Sequence, residues 1–183
     1  MKRATLADVD LIKYILLVSF KNDPHVNFLL EESKNERKLN ILIDYVVDQT
    51  FRQGEIYLSD DNNGVALWDF ERNEKMSLHY IWRNLAFLIR IGIRSVIRIV
   101  KSEAQIHNNF RKCPRYCHLY MIGVLPEAQG KGLASTLMNP MLQRLVAHGT
   151  PAVQSTIADH SRLVNSRGRA RKRGLFSRLR LPL

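Results

Sequence analysis

The stretch Ile122-Gly-Val-Leu-Pro-Glu-Ala-Gln129-Gly-Lys-Gly-Leu-Ala134 decides how this 183-residue chain is read. The run His118-Leu-Tyr-Met-Ile-Gly-Val124 has the length and composition of a buried strand, and it leads into a turn with Gly130 and Gly132 that opens a helix. A helix N-terminus leaves its first backbone N–H groups without intrahelical acceptors and carries the positive end of the helix dipole. Glycines at that point admit a phosphate to those donors with no Cβ in the way, so the turn reads as a phosphate cradle. The other common phosphate loops do not fit, because the chain has no G-x-x-x-x-G-K-[ST] run and the turn lacks the G-x-G-x-x-G order of a dinucleotide fold.

Gln129-Gly-Lys-Gly-Leu-Ala134 matches an Arg/Gln-x-x-Gly-x-Gly/Ala pattern, and with the strand before it the chain resembles the GCN5-related N-acetyltransferases. Asn139-Pro140 and Gly149-Thr-Pro-Ala152 resemble the branch that contains puromycin N-acetyltransferase. Arg3-Ala-Thr-Leu-Ala-Asp8 and Gly64-Val-Ala-Leu-Trp68 resemble the family's first strand with its helix start and its third strand. The resemblance runs from residue 1 to about residue 157. It implies an α/β fold: a mixed, mostly antiparallel sheet flanked by helices, forming one domain over residues 1–161.

The resemblance also implies a cofactor and a chemistry. Acetyl-CoA is the co-substrate, a small-molecule primary amine is the acceptor, and no metal takes part. Backbone groups of Ile122, Gly123 and Val124 pair with the pantetheine arm, while Gln129, Gly130, Lys131, Gly132, Leu133 and Ala134 face the pyrophosphate. Lys131 either adds a positive charge there or is a solvated helix-start lysine. Gly123 lets the strand open so that an N–H polarises the thioester carbonyl. His118 lies six residues before Val124, where some members carry a glutamate base, and an imidazole with an ordinary pKa near 6.5 suits that role. A structural histidine at the strand mouth is the alternative. Strand alternation places Tyr120 and Ile122 on the same face as His118.

Family members usually carry a general-acid tyrosine in an N-x-x-x-Y-x-x-x-G-F stretch on a later helix. Aligned on Gly174, the stretch has Ala170 where that tyrosine would stand, and no tyrosine occurs after Tyr120. The last strands of the fold are therefore expected to be altered or absent. Two functions follow: an active N-acetyltransferase, or a catalytically impaired CoA-binding protein.

Charge separates the chain into two parts. Eight of its 28 Lys and Arg, and none of its 17 Asp and Glu, lie in residues 162–183, which leaves +3 of the total +11 on the preceding residues. This segment reads as a basic arm that binds RNA, DNA or an anionic surface, as a solvated disordered end, or as the product of a reading-frame shift near Val164. At 45% hydrophobic and 25% charged, the chain as a whole has the composition of an ordinary folded domain. Met1-Lys-Arg is followed by acids where a signal sequence would be apolar, so a cytoplasmic location is expected.

Cys113 and Cys117 are the chain's two cysteines, too few for a disulfide framework. With His118 adjacent and His107 upstream they fall short of a zinc spacing, and two reduced thiols at the start of a buried strand is the favoured reading.

Local patterns supply the remaining elements. Thr5 or Asp8 caps a first helix carrying Leu11, Ile12, Ile15 and Leu16, and a second helix over 33–52 buries Leu39, Leu42, Ile43, Val46 and Val47 before Gly54 stops it. Residues 55–59 and 65–70 read as a β-hairpin. The apolar run over 79–110 reads as a core helix with Arg90, Arg94 and Arg98 as a solvated stripe. A helix lying on an anionic membrane, or one shaping the acceptor pocket, is the alternative. A membrane span does not fit, because each arginine at mid-bilayer depth costs at least about 2.5 kcal/mol.

Overall fold

The computed structural model describes residues 1–30, 36–70, 78–110, 117–147 and 152–154. A five-stranded sheet runs in chain order through β1 (Lys2–Arg3), β2 (Gly54–Leu58), β3 (Gly64–Phe70), β4 (Cys117–Val124) and β5 (Ala152–Gln154). Neighbours are antiparallel except β4 and β5, which are parallel. The expected hairpin forms with Gly54 opposite Asp69 and Leu58 opposite Val65. Its turn is closed by Ser59, whose hydroxyl oxygen accepts from the Gly64 N–H at 2.9 Å.

The helices are α1 (Val9–Phe20), α2 (Pro24–Leu30), α3 (Glu36–Gln53), α4 (Leu78–Ile91), α5 (Ile93–Phe110) and α6 (Leu133–Ala147). Thr5 and Asp8 cap the 3₁₀ turn over Leu6–Asp8 that leads into α1: the Thr5 N–H and hydroxyl both donate to the Asp8 carboxylate, at 2.9 and 2.8 Å, while Asp8 makes no side-chain cap bond to α1 itself. Those bonds hold the Asp8 carboxyl below its usual range. Ile12, Ile15, Leu16, Leu39, Leu42, Ile43, Val46 and Val47 are buried as their spacing requires. They meet Ile56, Leu58, Val65, Leu67 and Met121 in a core on one face of the sheet. On the other face, Ala66, Trp68, Cys117 and Leu119 pack against Leu137 and Met141 of α6.

Two local features differ from the sequence reading. The short helix α2 was not anticipated, although Asp23 accepts the Val26 N–H at 2.9 Å and Pro24 stands at the first helical position, a common helix start. The expected single helix over 79–110 is broken at Gly92, which has φ +89°. Gly92 closes α4 by donating to the Leu88 carbonyl and opens α5 by accepting from the Val96 N–H, both at 3.1 Å. Arg90 therefore belongs to α4 while Arg94 and Arg98 belong to α5, and the three do not form one continuous stripe. No helix among the described residues is long and apolar enough to cross a membrane. Cys113, residues 162–183 and the region expected to carry the last strands lie outside the described residues.

Candidate active site

The candidate site gathers at the C-terminal half of β4. The β4–β5 ladder covers Cys117, His118 and Leu119, and from Tyr120 to Val124 the β4 edge on that side has no strand partner among the described residues. The other edge stays paired with β3 down to Gly64 opposite Val124, and the Leu125 N–H extends the contact by donating to the Asn63 carbonyl at 2.8 Å. One half of β4 is thus held firmly on one side and presents backbone polar groups on the other.

Gly123 lets α1 close over this strand. A Cβ there would lie 3.0 Å from Ser19 Oγ and 3.2 Å from Leu16 Cδ2, so glycine lets α1 sit this close without displacing those side chains. The approach brings the Ser19 hydroxyl to 3.1 Å from the Val124 carbonyl, which also accepts from Gln129 Nε2 at 2.9 Å. Both lone pairs of that carbonyl are occupied. Ser19 had no signal in the sequence, being 105 residues away. Gln129 was expected near the site as part of the turn, and its side chain also anchors the turn to the strand's end.

Beyond Val124 the chain makes a short 3₁₀ turn over Pro126–Ala128 and then reverses through Gly130 at φ +78° and Gly132 at φ +77°. Both glycines hold a left-handed conformation that other residues rarely adopt, and neither would have an atom within 4 Å of an added Cβ. Their first role is therefore conformational, and the space around them is open. The leading N–H groups of α6, at Leu133, Ala134 and Ser135, come out of this turn without intrahelical acceptors, and the first helical bond runs from the Thr136 N–H to the Gly132 carbonyl at 3.1 Å. Lys131 and Leu133 line an adjoining cleft of about 320 Å³ with Asp61, Asn63, Glu127 and Ala128. The expected residues Ile122, Gly123, Val124, Gln129, Gly130, Lys131, Gly132, Leu133 and Ala134 thus form one continuous path from strand edge to helix start.

A bulge changes which side chains accompany His118. Leu67 pairs with Met121 but Trp68 pairs with Leu119, so Tyr120 is an extra residue in β4. The alternation resets there. His118 and Tyr120 face α1 and α3, with ring centroids 5.4 Å apart in an edge-to-face contact, whereas Ile122 joins the α6 side of the sheet. The expectation that Ile122 shares the His118 face is thereby corrected. Cys117 also lies on the α6 side, so Cys117 and His118 point to opposite faces and do not share a ligand position. Burial, then the charges of Asp69 and Glu55, push the Cys117 thiol up to about 12, which makes it unreactive.

His118 is only 7% exposed, and its Nε2 finds no hydrogen-bond partner among the described residues. Burial lowers its pKa from 6.5 to about 4, well below the value that made it attractive as a base. The unfolded chain takes up this proton below about pH 6.5 and the folded chain only near pH 4. His118 therefore supports folding fully above pH 6.5, and that support drains by about 3 kcal/mol as the pH falls to 4. His118→Gln is expected to flatten this part of the stability curve, measured as urea midpoints at several pH values across the window. Equal acid sensitivity in both proteins would rule out His118 as its source.

The sequence model of the acetyltransferase (GNAT) family matches residues 68–166, more than half of the chain. Among solved structures, a Corynebacterium glutamicum protein described as histone acetyltransferase HPA2 and related acetyltransferase is 25% identical, with a TM-score of 0.56 over 79% of this chain and 70% of its own. Arylalkylamine N-acetyltransferase 2 from Aedes aegypti is 16% identical and shares the fold, with a TM-score of 0.56 over 81% of this chain and 70% of its own. The family match spans β4, the glycine turn and α6, the elements that build the open strand edge and the helix start, and the chain belongs to the GNAT family of acetyltransferases.

Proposed function

We propose that this protein transfers an acetyl group from acetyl-CoA to the primary amine of a small molecule. The observation that most supports the reading is a β4 edge that has no strand partner among the described residues and runs directly into an open glycine turn at a helix N-terminus. Ile122, Gly123 and Val124 take the pantetheine arm as an added strand. Because the Val124 carbonyl already has two donors, the pairing draws on the other backbone groups of this run. Gln129 through Ala134 receive the pyrophosphate, with Lys131 adding charge from the cleft wall.

In this reading a neutral amine attacks the acetyl carbonyl carbon, and a backbone N–H on the β4 edge that faces away from β3 stabilises the charge that develops on the carbonyl oxygen; Gly123 itself stays paired with Val65 and packed under α1. Collapse of the intermediate breaks the carbon–sulfur bond, and the CoA thiolate leaves and is protonated. His118 is the base that takes a proton from the acceptor. Its imidazole is neutral above about pH 4 and so free to take a proton, although burial makes it a weaker base than a free histidine, and its buried Nε2 has no hydrogen-bond partner among the described residues. Asn139-Pro140, inside α6, favours the puromycin N-acetyltransferase-like branch. The shared fold of an arylalkylamine N-acetyltransferase fits a small amine as acceptor.

A second reading has support of its own. The chain has no tyrosine after Tyr120 to act as general acid, and residues 162–183 carry eight cations. Both suit a CoA-binding protein with a basic nucleic-acid arm. Calorimetric titration of acetyl-CoA into the full chain, followed by a thiol-release assay with a panel of small primary amines, decides between them. Amine-dependent release establishes the transferase. Binding without release for any amine shifts the function to the second reading, and failure to bind removes both.

A further inference from the structure

Helix α5 has a buried side and, opposite it, an exposed aliphatic side. Ser95 and Ile99 are buried against the protein, while Ile93, Ile97 and Val100 recur at intervals of four and three residues on the outward side. In α4, Leu85 and Ile89 are likewise exposed, whereas Ile91 is buried and Phe87 stacks on Tyr45 of α3 with ring centroids 4.2 Å apart. These five large aliphatic side chains are between 41% and 75% exposed, so the row is a feature of the surface and not the edge of the core.

Charge along this row is basic as far as Ser102, and Glu103 follows in the next turn of α5. The sequence from Lys75 to Ser102 contains no Asp or Glu. Arg94 and Lys101 each follow a member of the α5 row by one residue, which sets both on the same shoulder of the helix, and both are exposed. Arg98 ties the helix down: it donates to the Phe28 carbonyl at 2.6 Å, and its guanidinium lies 4.8 Å from the centre of the Phe28 ring. The Phe28 side chain is itself exposed and adds apolar surface beside the basic shoulder.

We propose that the outward face of α5 docks on an anionic lipid bilayer, with Ile93, Ile97 and Val100 set into the headgroup–acyl boundary and Arg94 and Lys101 against the lipid phosphates and carboxylates. A row standing opposite the buried side of its helix is a ridge, which suits a flat, deformable surface better than the groove of a protein partner. Charge complementarity separates the remaining occupants. A second copy meeting this face with its own would oppose two basic shoulders, and residues 162–183 contain no acid to pair with one. An anionic bilayer satisfies the aliphatic row and the cations together.

The test is co-sedimentation of the full chain with vesicles of phosphatidylcholine alone and of phosphatidylcholine with about 30% phosphatidylserine. Binding to the anionic vesicles that weakens as salt is raised is expected, and failure to bind them overturns the proposal. Ile93→Ser/Ile97→Ser/Val100→Ser, on an exposed face, is expected to lower the partition coefficient by about tenfold or more. Unchanged binding by that variant assigns adsorption to the basic 162–183 segment and overturns the proposal. A full chain that is dimeric by ultracentrifugation and becomes monomeric in the triple variant overturns it in favour of self-association. Ile97→Trp provides an independent reading: its added indole emission should shift to shorter wavelength on anionic vesicles, and no shift overturns the docking geometry.

Discussion

Replacing Gly130 and Gly132 together by valine is expected to weaken acetyl-CoA binding by roughly a hundredfold. Both positions sit near φ +77°, where a residue with a Cβ is disfavoured by about 1–2 kcal/mol and a β-branched one by at least that much. The two penalties add to about 2–4 kcal/mol, and each 1.4 kcal/mol is tenfold in affinity. Nothing lies within 4 Å of either new Cβ, so the penalty is one of backbone conformation at that atom. The turn escapes into ordinary backbone angles, and the N–H groups it had aligned ahead of α6 are dispersed. Calorimetric titration measures the loss. Gly92→Val is the matched control, with a similar φ but a position between α4 and α5, and it should leave the affinity unchanged. A double variant within threefold of the parent would mean that the turn is not the CoA site.

Trp68→Ala is expected to remove about 3–5 kcal/mol of stability, a large share of what a domain of this size possesses. Trp68 is fully buried, stands opposite Leu119 beside the bulge, and belongs to the cluster that seats Leu137 and Met141 of α6 on the sheet. Its loss opens a cavity beneath the helix whose N-terminus forms the cradle. Urea denaturation reads the effect directly. Acetyl-CoA at about one hundred times its dissociation constant should restore about 2.7 kcal/mol, because ligand binds only the folded form. A loss below about 1 kcal/mol would show that the α6 side of the sheet tolerates the cavity by collapsing.

Much of the site could be read from the sequence because its parts are local. Gln129 to Ala134 encode their own turn, since glycine is the residue that reaches positive φ without strain and a helix start is a short-range signal. The periodic apolar residues of α1 and α3 and the hairpin of β2 and β3 were likewise set by spacing within a few residues. Gly92 was visible but ambiguous, since a single glycine in an apolar run either continues a helix at a cost of about 1 kcal/mol or ends it.

The His118 environment was not legible in the same way. A bulge is a relation between two strands, and here it arises because β4 carries one residue more than β3 between the pairs Leu67–Met121 and Trp68–Leu119. That one residue moves Ile122 to the opposite face and leaves Tyr120 beside His118. Burial, another property of the assembled core, then takes His118 from an ordinary imidazole to one that stays neutral to about pH 4.

The sequence by itself determined the strand, the glycine turn and the helix start that make this chain an acetyltransferase-family member, because each follows from backbone conformations that neighbouring residues impose on one another. Only the tertiary structure decided that Gly123 packs against Ser19 and Leu16, that the Val124 carbonyl accepts from Ser19 across 105 residues as well as from nearby Gln129, and that α5 turns an aliphatic row outward. Those outcomes depend on which surfaces meet across long stretches of chain, and packing settles them after local preferences have chosen the elements.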